Sequence, residues 1–430
     1  MSGTVDAVMH TPAESGTQAP WRLAIFTSHP IQYQAPFFRA LAASGRVDPI
    51  VYFGSRHGVD VSRDSGFGTE FRWDVPLLEG YRHRFLPNVA RVPDVSRFRG
   101  VRLADVSDVF ASDRPDALLV LGWQTLAHLQ MIRAAWQAGI PVIVRGESTL
   151  QRSPSSGVRG LARRALWIPT RMRLYAAAFR RVDAFLTIGS RNRDYYRSFG
   201  VPDERMFWAP YGVDNDWFRM TEPARSLARA RVREQIAVTD KTVVFASAAK
   251  LIERKRPFDL VDAVANLRRR GIDAHALFIG DGELRDAIER RATRAGVEDA
   301  VCISGFINQT DLPAWYAASD ALVLPSDSRE TWGLVVNEAM AAGLPVVVSD
   351  AAGCSVDLVR EGENGFTYPC GDVGALTTQL ARIAQMAPDE RRALGDRSRE
   401  IVAGFGIDVA AFATASAVEA VCHRAVARHA

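Results

Sequence analysis

Short runs of apolar residues alternate with longer amphipathic segments along most of the chain, and this alternation constrains the fold more than any other feature. In the first half the apolar runs are Leu23–Thr27, Ile50–Phe53, Ala117–Leu121, Pro141–Val144 and Ala184–Ile188. Each run has the length of a buried strand, and helical patterns such as Leu126–Ala138 lie between several of them. This spacing predicts parallel strands joined by crossover helices.

The second half of the chain has the same architecture without any sequence repeat. Its apolar runs are Thr242–Ser247, Ala276–Gly280, Ala300–Ser304, Ala321–Pro325 and Pro345–Ser349. Its helical patterns are Pro257–Arg270, Glu283–Ala295, Leu312–Ala318 and Trp332–Ala342. A chain of 430 residues exceeds one ordinary core. We predict a disordered tail (1–20), two Rossmann-like α/β domains (21–215 and 216–403) and a C-terminal helix (404–430) that packs back on the N-terminal domain.

Composition excludes several classes of protein. The net charge of +4 and the pI near 9.0 favour anionic partners without pointing to nucleic acid. The cysteines lack CxxC spacing, so they predict neither a disulfide framework nor a zinc site. No apolar core of a secretory signal lies in residues 1–20, and apolar residues never run uninterrupted for about 18 positions. We therefore expect a cytoplasmic protein without a membrane-spanning helix.

An acidic motif follows one of the predicted strands. That strand ends at Pro325, Glu330 lies in the next loop, and a predicted helix starts near Trp332 and carries Glu338. Glu330 therefore lies by a helix N-terminus, where backbone N–H groups favour an anion. Two carboxylates eight residues apart can hold two sets of sugar hydroxyls, and Gly333 permits a close approach of the backbone to a ligand.

Basic and glycine-rich loops follow the neighbouring strands. Lys250 and Lys255 come directly after Thr242–Ser247, where two cations can neutralise a departing diphosphate. Gly280 and Gly282 end the next strand and open a helix, but the third glycine of a dinucleotide-binding fingerprint is missing.

The Glu330-x7-Glu338 frame resembles the acidic motif of the large retaining glycosyltransferase family called family 4, which has the GT-B fold with two doubly wound domains facing a central cleft. The resemblance implies that Glu330 contacts the donor sugar and Glu338 the ribose. It also implies that the amides of Trp332, Gly333 and Leu334 face sugar and phosphate. Further residues of the same implied site are Lys250 (where the family has arginine), Lys255, Gly280, Gly282 and Phe306, the last beside the base.

The N-terminal half departs from the family pattern. Many members carry a histidine beyond the fourth strand, where this chain has Arg145-Gly146-Glu147. Arg145 and Glu147 are therefore either contacts to acceptor or sugar or a structural salt link, and His29 is a further candidate in the loop after the first strand. His128 lies within a helical pattern and is interpreted as structural. The arginine-rich stretch 152–181 suits either an anionic membrane surface or a solvated helix face.

The resemblance leads to a functional expectation. We expect a retaining, metal-independent hexosyltransferase of polysaccharide biosynthesis, with a nucleotide-diphosphate sugar as donor, no further cofactor and a glycan, lipid-linked or small-molecule acceptor. Peripheral contact with the inner face of the plasma membrane is expected through 152–181. The alternatives are a GT-B nucleotide-sugar epimerase or hydrolase and a non-catalytic sugar-nucleotide-binding protein. An oxidoreductase would need an intact Gly-x-Gly-x-x-Gly near the first strand, which is absent.

Overall fold

Seven parallel strands form the sheet of the N-terminal domain. The computed structural model describes residues 19–60, 62–63, 70–71, 73–123, 125–150 and 173–429. The strands are β1 (Trp21–Thr27), β2 (Val47–Phe53), β3 (Arg82–Phe85), β4 (Ala117–Leu121), β5 (Val142–Arg145), β6 (Ala184–Thr187) and β7 (Met206–Trp208). They lie in the order β3-β2-β1-β4-β5-β6-β7. The connecting helices include Gln34–Ala43, Ser107–Ser112, Leu126–Gln137 and Ser190–Ser198.

Six parallel strands form the sheet of the C-terminal domain. They are β8 (Val243–Ala248), β9 (Ala274–Ile279), β10 (Val301–Ile303), β11 (Ala321–Leu324), β12 (Val346–Ser349) and β13 (Gly365–Tyr368), in the order β10-β9-β8-β11-β12-β13. The helices are Asn215–Phe218, Glu222–Gln235, Pro257–Arg269, Arg285–Ala295, Leu312–Ala318, Leu334–Ala341, Ser355–Leu358, Val373–Gln385, Pro388–Ala403 and Ile407–His429.

Both sheets reverse their strand order beside their first strand, which is the topological switch point of a doubly wound sheet. Ligands of such sheets bind beyond the carboxyl ends of the strands. The central strands are buried on both sides: β4, β8 and β11 consist almost entirely of buried residues. A short antiparallel hairpin, Ser62–Arg63 with Glu70–Phe71, lies outside the two main sheets.

The last helix, Ile407–His429, packs on the N-terminal sheet although it follows the C-terminal domain in sequence. Ala415, Val418 and Cys422 are buried in the same core as β1 and the helix Gln34–Ala43. Arg46 forms an ion pair with Glu419, with an N–O distance of 2.6 Å. The chain therefore crosses between the domains twice, and this helix ties its end to the first domain.

One helical stretch of the described residues is long and apolar enough to cross a membrane by length and composition alone. The helical stretch Pro388–Arg428 contains a window with a mean hydropathy of 1.8, of which 44% is buried in the protein. Alanine and valine raise the mean although threonine, serine and glutamate interrupt every long apolar run. In the structure one face of this stretch packs on the N-terminal sheet.

Candidate functional site

The acidic motif and the basic loop meet at the carboxyl edge of the C-terminal sheet. Glu330 lies in the loop after β11, and Lys255 lies in the loop after β8, which is the adjacent strand. The Lys255 ammonium forms an ion pair with the Glu330 carboxylate, and Arg254 approaches the same oxygen at 3.4 Å. Both members of the Lys255–Glu330 pair are largely shielded from solvent. Lys250 is half-buried in the same loop, directly after β8.

Glu338 lies on the helix Leu334–Ala341, which directly follows the loop that carries Glu330. Its side chain is buried, and Oε2 accepts a hydrogen bond of 2.7 Å from the Tyr316 hydroxyl. Loss of hydration raises the pKa of Glu338 to about 7, while the Tyr316 hydroxyl and the Lys255 charge act in the opposite direction. A cavity of about 180 Å³ reaches Glu338 and is lined on its other side by N-terminal residues, Gln32 and Tyr33 among them.

The helix that carries Glu338 begins at Leu334, two residues later than predicted. Gly333 precedes it with φ +107°, and a side chain there would contact Leu324 at 2.6 Å. The amides of Gly333 and Leu334 therefore lie at a helix N-terminus, as the anion-binding prediction requires. The Trp332 ring has a different role from a ligand contact, because it is buried against Gly189 of the N-terminal domain and donates to Asn337.

Gly280 and Gly282 bring two loops of the C-terminal domain together. A Cβ at Gly280 would lie 2.1 Å from the Ala249 carbonyl oxygen, and a Cβ at Gly282 would lie 2.7 Å from the backbone of Leu251. The Leu251 amide donates to the Asp281 carbonyl at 2.9 Å. These glycines were predicted to lie beside the nucleotide; in the structure they fix the path of the loop that carries Lys250 and Lys255.

Phe306 lies where the two domains approach each other at the cleft. Its ring centroid is 6.1 Å from that of Trp73 in the N-terminal domain. Nearby, the Thr310 amide donates to Asp74 at 3.3 Å. Phe306 thus follows β10 at the cleft, but its described aromatic partner is a protein side chain.

Arg145 and Glu147 lie at the carboxyl end of β5, across the cleft from Glu330. The Glu147 carboxylate accepts a hydrogen bond of 2.6 Å from Tyr211, and the Arg145 guanidinium lies 5.1 Å from the centre of the same Tyr211 ring. Glu147 is accessible from the cleft, but the cleft walls displace bulk water and raise the pKa of its carboxyl group; the charge of Glu330 adds to this effect. Tyr33 packs edge-on against Tyr211 with ring centroids 5.7 Å apart.

Arg145, Glu147 and Tyr211 line a cavity of about 210 Å³. The lining residues include Ser28, Gln34, Trp123, Thr125, His128, Arg145, Glu147, Ser148 and Tyr211. Polar groups and two aromatic rings around one cavity are typical of a carbohydrate site, where hydroxyls need hydrogen bonds and ring faces need apolar contact.

His29 and His128 lie near the carboxyl edge of the N-terminal sheet, where their surroundings favour the neutral imidazole. His29 shares a hydrogen bond of 2.9 Å with Ser28, and burial lowers its pKa to about 4, with the neighbouring His57 adding to the effect. His128 is buried, and both ring nitrogens have partners, Thr125 at 2.6 Å and the Leu121 carbonyl at 3.1 Å. This geometry agrees with a structural role for His128.

A clamp between the domains lies beside the acidic motif. Arg191 donates to the carbonyls of Ala351 (3.0 Å) and Ala352 (3.1 Å), and the Ser190 amide donates to Asp357 at 2.9 Å. The amide of Gly353, the residue after Ala352, donates to the Glu330 carbonyl at 3.0 Å. The start of the helix Ser190–Ser198 in one domain is therefore linked to the Glu330 loop in the other.

Sequence reasoning missed several of these functional positions. Tyr316 and Asp357 lie in segments that read only as a helix and a loop, and nothing in their neighbourhood in sequence signals a buried carboxylate partner. The contact between Tyr33 and Tyr211 joins segments 178 residues apart, so no local pattern indicates it. Within the described ranges, no cluster of three or more histidine, cysteine, aspartate or glutamate residues is arranged to hold a metal ion.

Residues 228–401 match the family model described as glycosyl transferases group 1. The matched region includes Lys255, Glu330 and Glu338, together with the glycine-rich loop between them. Arg145, Glu147 and the cavity beside them lie outside it.

Relatives in sequence match about half of the chain. The chain is 32% identical over 218 residues to the GDP-mannose-dependent alpha-(1-6)-phosphatidylinositol monomannoside mannosyltransferase of Mycolicibacterium smegmatis, which covers 49% of this chain and 54% of the relative. It is 30% identical over 193 residues to the alpha-D-kanosaminyltransferase of Streptomyces kanamyceticus, which covers 45% of this chain and 48% of the relative. The chain thus spans about half the length of the curated relatives it matches.

Solved structures match both domains together. HepE of Anabaena in complex with UDP and glucose superimposes with a TM-score of 0.69 at 18% identity, over 93% of this chain and 100% of that one. The apo form of the lipopolysaccharide outer core galactosyltransferase WaaB gives a TM-score of 0.64 at 16% identity, over 93% and 99%. At these identities the likeness shows the fold, and the predicted GT-B fold is confirmed.

Proposed function

We propose that the protein moves a sugar from a nucleotide-diphosphate sugar to a glycan, lipid-linked or small-molecule acceptor, with retention of configuration and without a metal ion. The observation that carries the proposal is the Lys255–Glu330 ion pair at the edge of the C-terminal sheet, facing the Glu147 cavity across the cleft. Lys255 supplies a positive charge for the diphosphate, and Glu330 accepts hydrogen bonds from sugar hydroxyls. The two groups lie together, as recognition of the sugar–phosphate junction of a nucleotide sugar requires.

On the donor side, each group has one task. The Lys255 and Lys250 cations balance the diphosphate charge that develops as the bond to the sugar breaks. The amides of Gly333 and Leu334 supply fixed donors to the same phosphates. Glu330 accepts from sugar hydroxyls once the donor separates it from Lys255, and Glu338 accepts from the ribose. No part of this arrangement uses a metal ion, because cations and a helix N-terminus supply the positive potential.

On the acceptor side, the Glu147 cavity faces the donor. The raised pKa of Glu147 makes its carboxylate a better base for an acceptor hydroxyl, because proton transfer is most effective when the pKa of the base approaches the working pH. Tyr211 holds that carboxylate in place through its hydrogen bond. In the family mechanism the departing phosphate assists the same deprotonation on the same face of the sugar.

The comparisons support this proposal without identifying the substrates. The relatives are named for transfer of mannosyl and kanosaminyl groups, and a structural neighbour is described with UDP and glucose. Membrane contact through 152–181 stays a proposal, since residues 152–172 lie outside the described part of the chain. We place the protein on the cytoplasmic side, in polysaccharide or glycolipid synthesis.

A panel of nucleotide sugars tests the proposal. The true donor should raise the melting temperature through mass action, and it should then be transferred or slowly hydrolysed. Glu330→Gln should lower turnover about 100- to 1,000-fold with little change in unfolding, because one aligned charge in the transition state is removed. Glu298→Gln, an exposed change elsewhere in the same domain, is the control. Turnover should survive EDTA.

Three results would contradict the proposal. Full turnover in Glu330→Gln would move the donor sugar elsewhere. Loss of transfer in EDTA, with recovery in Mg²⁺ or Mn²⁺, would refute the metal-free mechanism. Donor epimerisation or hydrolysis as the fast reaction, with every acceptor inert, would favour the alternative class of GT-B enzymes.

A further inference from the structure

A basic and apolar surface borders the Glu147 cavity on the N-terminal domain. It is built by the loop between β3 and the helix Ser107–Ser112, and by the exposed side of the helix Leu126–Gln137. A groove of about 730 Å³ runs along it, lined by Ala90, Arg91, Val92, Arg97, Phe98, Arg99, Gly100, Arg102, Leu126 and Gln130. We call this surface the loop 88–102 surface. Its described lining holds four arginines and no carboxylate.

Hydrogen bonds fix the backbone of this loop. Its exposed apolar side chains therefore stay in contact with solvent. Asn88 bonds across the base of the loop, donating to the Gly100 carbonyl at 3.1 Å and accepting from the Arg102 amide at 3.0 Å. Val101 and Leu103 turn inward and are fully buried. The Phe98 carbonyl accepts from the Leu126 amide at 2.8 Å, which fixes the loop to the start of the neighbouring helix.

Other apolar side chains of the same surface point outward. Val92 is 58% exposed, Phe98 50% and Leu129 44%. Arg133 lies four residues after Leu129 and is also exposed, so the helix continues the pattern of apolar and basic side chains. A cluster of exposed apolar side chains bordered by arginines is typical of a surface that binds a protein or a membrane.

The position of the surface connects it to the cleft. Val95, from the middle of the loop, lines the Glu147 cavity, and so does Thr125, which directly precedes the groove residue Leu126. Ser148 also lines the cavity, and Leu150, two residues later in the chain, is 58% exposed. The loop 88–102 surface is therefore continuous with the lining of the cavity through Val95 and Thr125.

A second arginine cluster shows why the loop 88–102 surface is distinctive. At the amino edge of the same sheet, Arg205 donates to the Val182 carbonyl at 2.9 Å, and Arg428 approaches Asp183 at 3.7 Å. Glu204 also lines that groove. Those arginines serve the protein's own carbonyls and carboxylates. In the loop 88–102 surface Arg97 also pairs with a carboxylate, that of Asp94 at 3.0 Å, but this surface combines its arginines with outward apolar groups.

We propose that the loop 88–102 surface docks on an anionic phospholipid bilayer, with Val92 and Phe98 entering the interface and the arginines contacting headgroup phosphates. Charge complementarity selects the occupant, because arginine binds phosphate with a planar fork and an anionic leaflet attracts each basic side chain. Shallow apolar insertion adds to this attraction. Docking would present the Glu147 cavity to an acceptor held in the bilayer, so the inference deepens the proposed function by favouring a lipid-linked acceptor.

Vesicle sedimentation tests the docking with the full-length chain. Phosphatidylcholine vesicles with and without phosphatidylglycerol are compared at low and high salt, without donor or acceptor. The wild type should bind only the anionic vesicles and should be released by salt. Arg91→Gln with Arg99→Gln should weaken binding about thirtyfold. Val92→Ser with Phe98→Ser should weaken vesicle binding about tenfold, and high salt should abolish the binding that remains.

The matched control removes equal charge from the other domain. Arg290→Gln with Arg294→Gln changes two exposed arginines of the helix Arg285–Ala295 and should bind vesicles like the wild type. A wild type that ignores anionic vesicles at low salt would overturn the inference. Loop variants that bind as well as the control would also overturn it and would move the contact elsewhere. Nucleotide-sugar binding, followed in parallel by melting temperature, separates failure of docking from failure of the proposed function.

Discussion

Arg254 and Lys255 are adjacent cations that both reach the Glu330 carboxylate, but they differ in exposure. The Lys255 side chain is 13% exposed and that of Arg254 is 36% exposed. A charge in a shielded site acts through a lower effective dielectric than one in open solvent, so Lys255 exerts the stronger field on a bound phosphate. Lys255 also lies close enough to Glu338 to influence its ionisation.

Lys255→Ala is therefore expected to reduce both nucleotide affinity and turnover. The loss of one aligned cation should lower turnover about 100-fold or more. Calorimetry with the free nucleoside diphosphate measures the affinity. Lys250→Arg is the tolerant companion, since arginine keeps the charge and adds a second donor. Unchanged diphosphate affinity in both Lys255→Ala and Lys250→Ala would place the phosphates elsewhere.

Glu338 predicts a dependence of stability on pH. Its pKa in the folded protein, about 7, is above the ordinary 4.5, so the folded state holds a proton that the unfolded state has released between these values. The free energy of unfolding must then fall as pH rises through this window, by about 3 kcal/mol at most. Glu338→Gln should remove this part of the decline. Denaturant unfolding of both proteins from pH 4.5 to 8 measures it; parallel curves would contradict the shifted pKa.

At the scale of elements, the strands that sequence predicts well are those with a continuous apolar run, whether central and buried as β8 and β11 or at a sheet edge as β10. All ten predicted strands are present, because continuous Val, Ile and Leu runs have few alternatives to a central strand. In the two main sheets the strands that were missed are β3, β7 and β13, and the short hairpin Ser62–Arg63 with Glu70–Phe71 was missed as well. Strand β3 alternates exposed and half-buried residues and contains two arginines, so it lacks the apolar run of a central strand.

The loops of the candidate site were predicted from strand ends, but their contacts were not. Glu330 and Lys255 lie 75 residues apart and meet because β8 and β11 are neighbours in the sheet, an order that no local pattern encodes. From the sequence, Gly280 was predicted to lie in the donor site. In the structure glycine is required there because a side chain would collide with Ala249 in another loop. Spatial partners of this kind depend on sheet order, whereas local patterns report only burial and turn geometry.

Gly280→Ala tests the loop contact. The residue has φ +147°, and a Cβ would lie 2.1 Å from a backbone oxygen that cannot rotate away. We expect a loss of about 2–4 kcal/mol in the free energy of unfolding, together with weaker nucleotide binding. Gly271→Ala is the control, because it has φ +74° but no atom within 4 Å and should cost only about 1 kcal/mol. Equal losses in the two variants would show that the loops separate freely.

At the scale of the whole molecule, the proposed function requires that the Glu147 cavity and Glu330 keep their separation. The last helix, Ile407–His429, belongs to the N-terminal core, and the clamp of Ser190 and Arg191 joins that domain to the segment beside Glu330. Both connections lie far apart in sequence from the residues they position. The domain arrangement is thus part of the site, because it sets the distance between donor and acceptor groups.

Arg191→Ala should separate binding from transfer. Its guanidinium contacts three consecutive carbonyls, Asp350 to Ala352, so its loss weakens the link between the Glu330 loop and the N-terminal domain and leaves the Ser190–Asp357 bonds in place. The donor groups all lie in the C-terminal domain, so nucleotide affinity should stay within about threefold. Transfer should fall about 100-fold, since a misplacement of about 1 Å is enough for that loss. Small-angle scattering should show a larger radius of gyration. Arg197→Ala, on the same helix but paired with Asp203 of its own domain, should match the wild type in all three measurements. Wild-type transfer and scattering in Arg191→Ala would mean that other contacts hold the domains together.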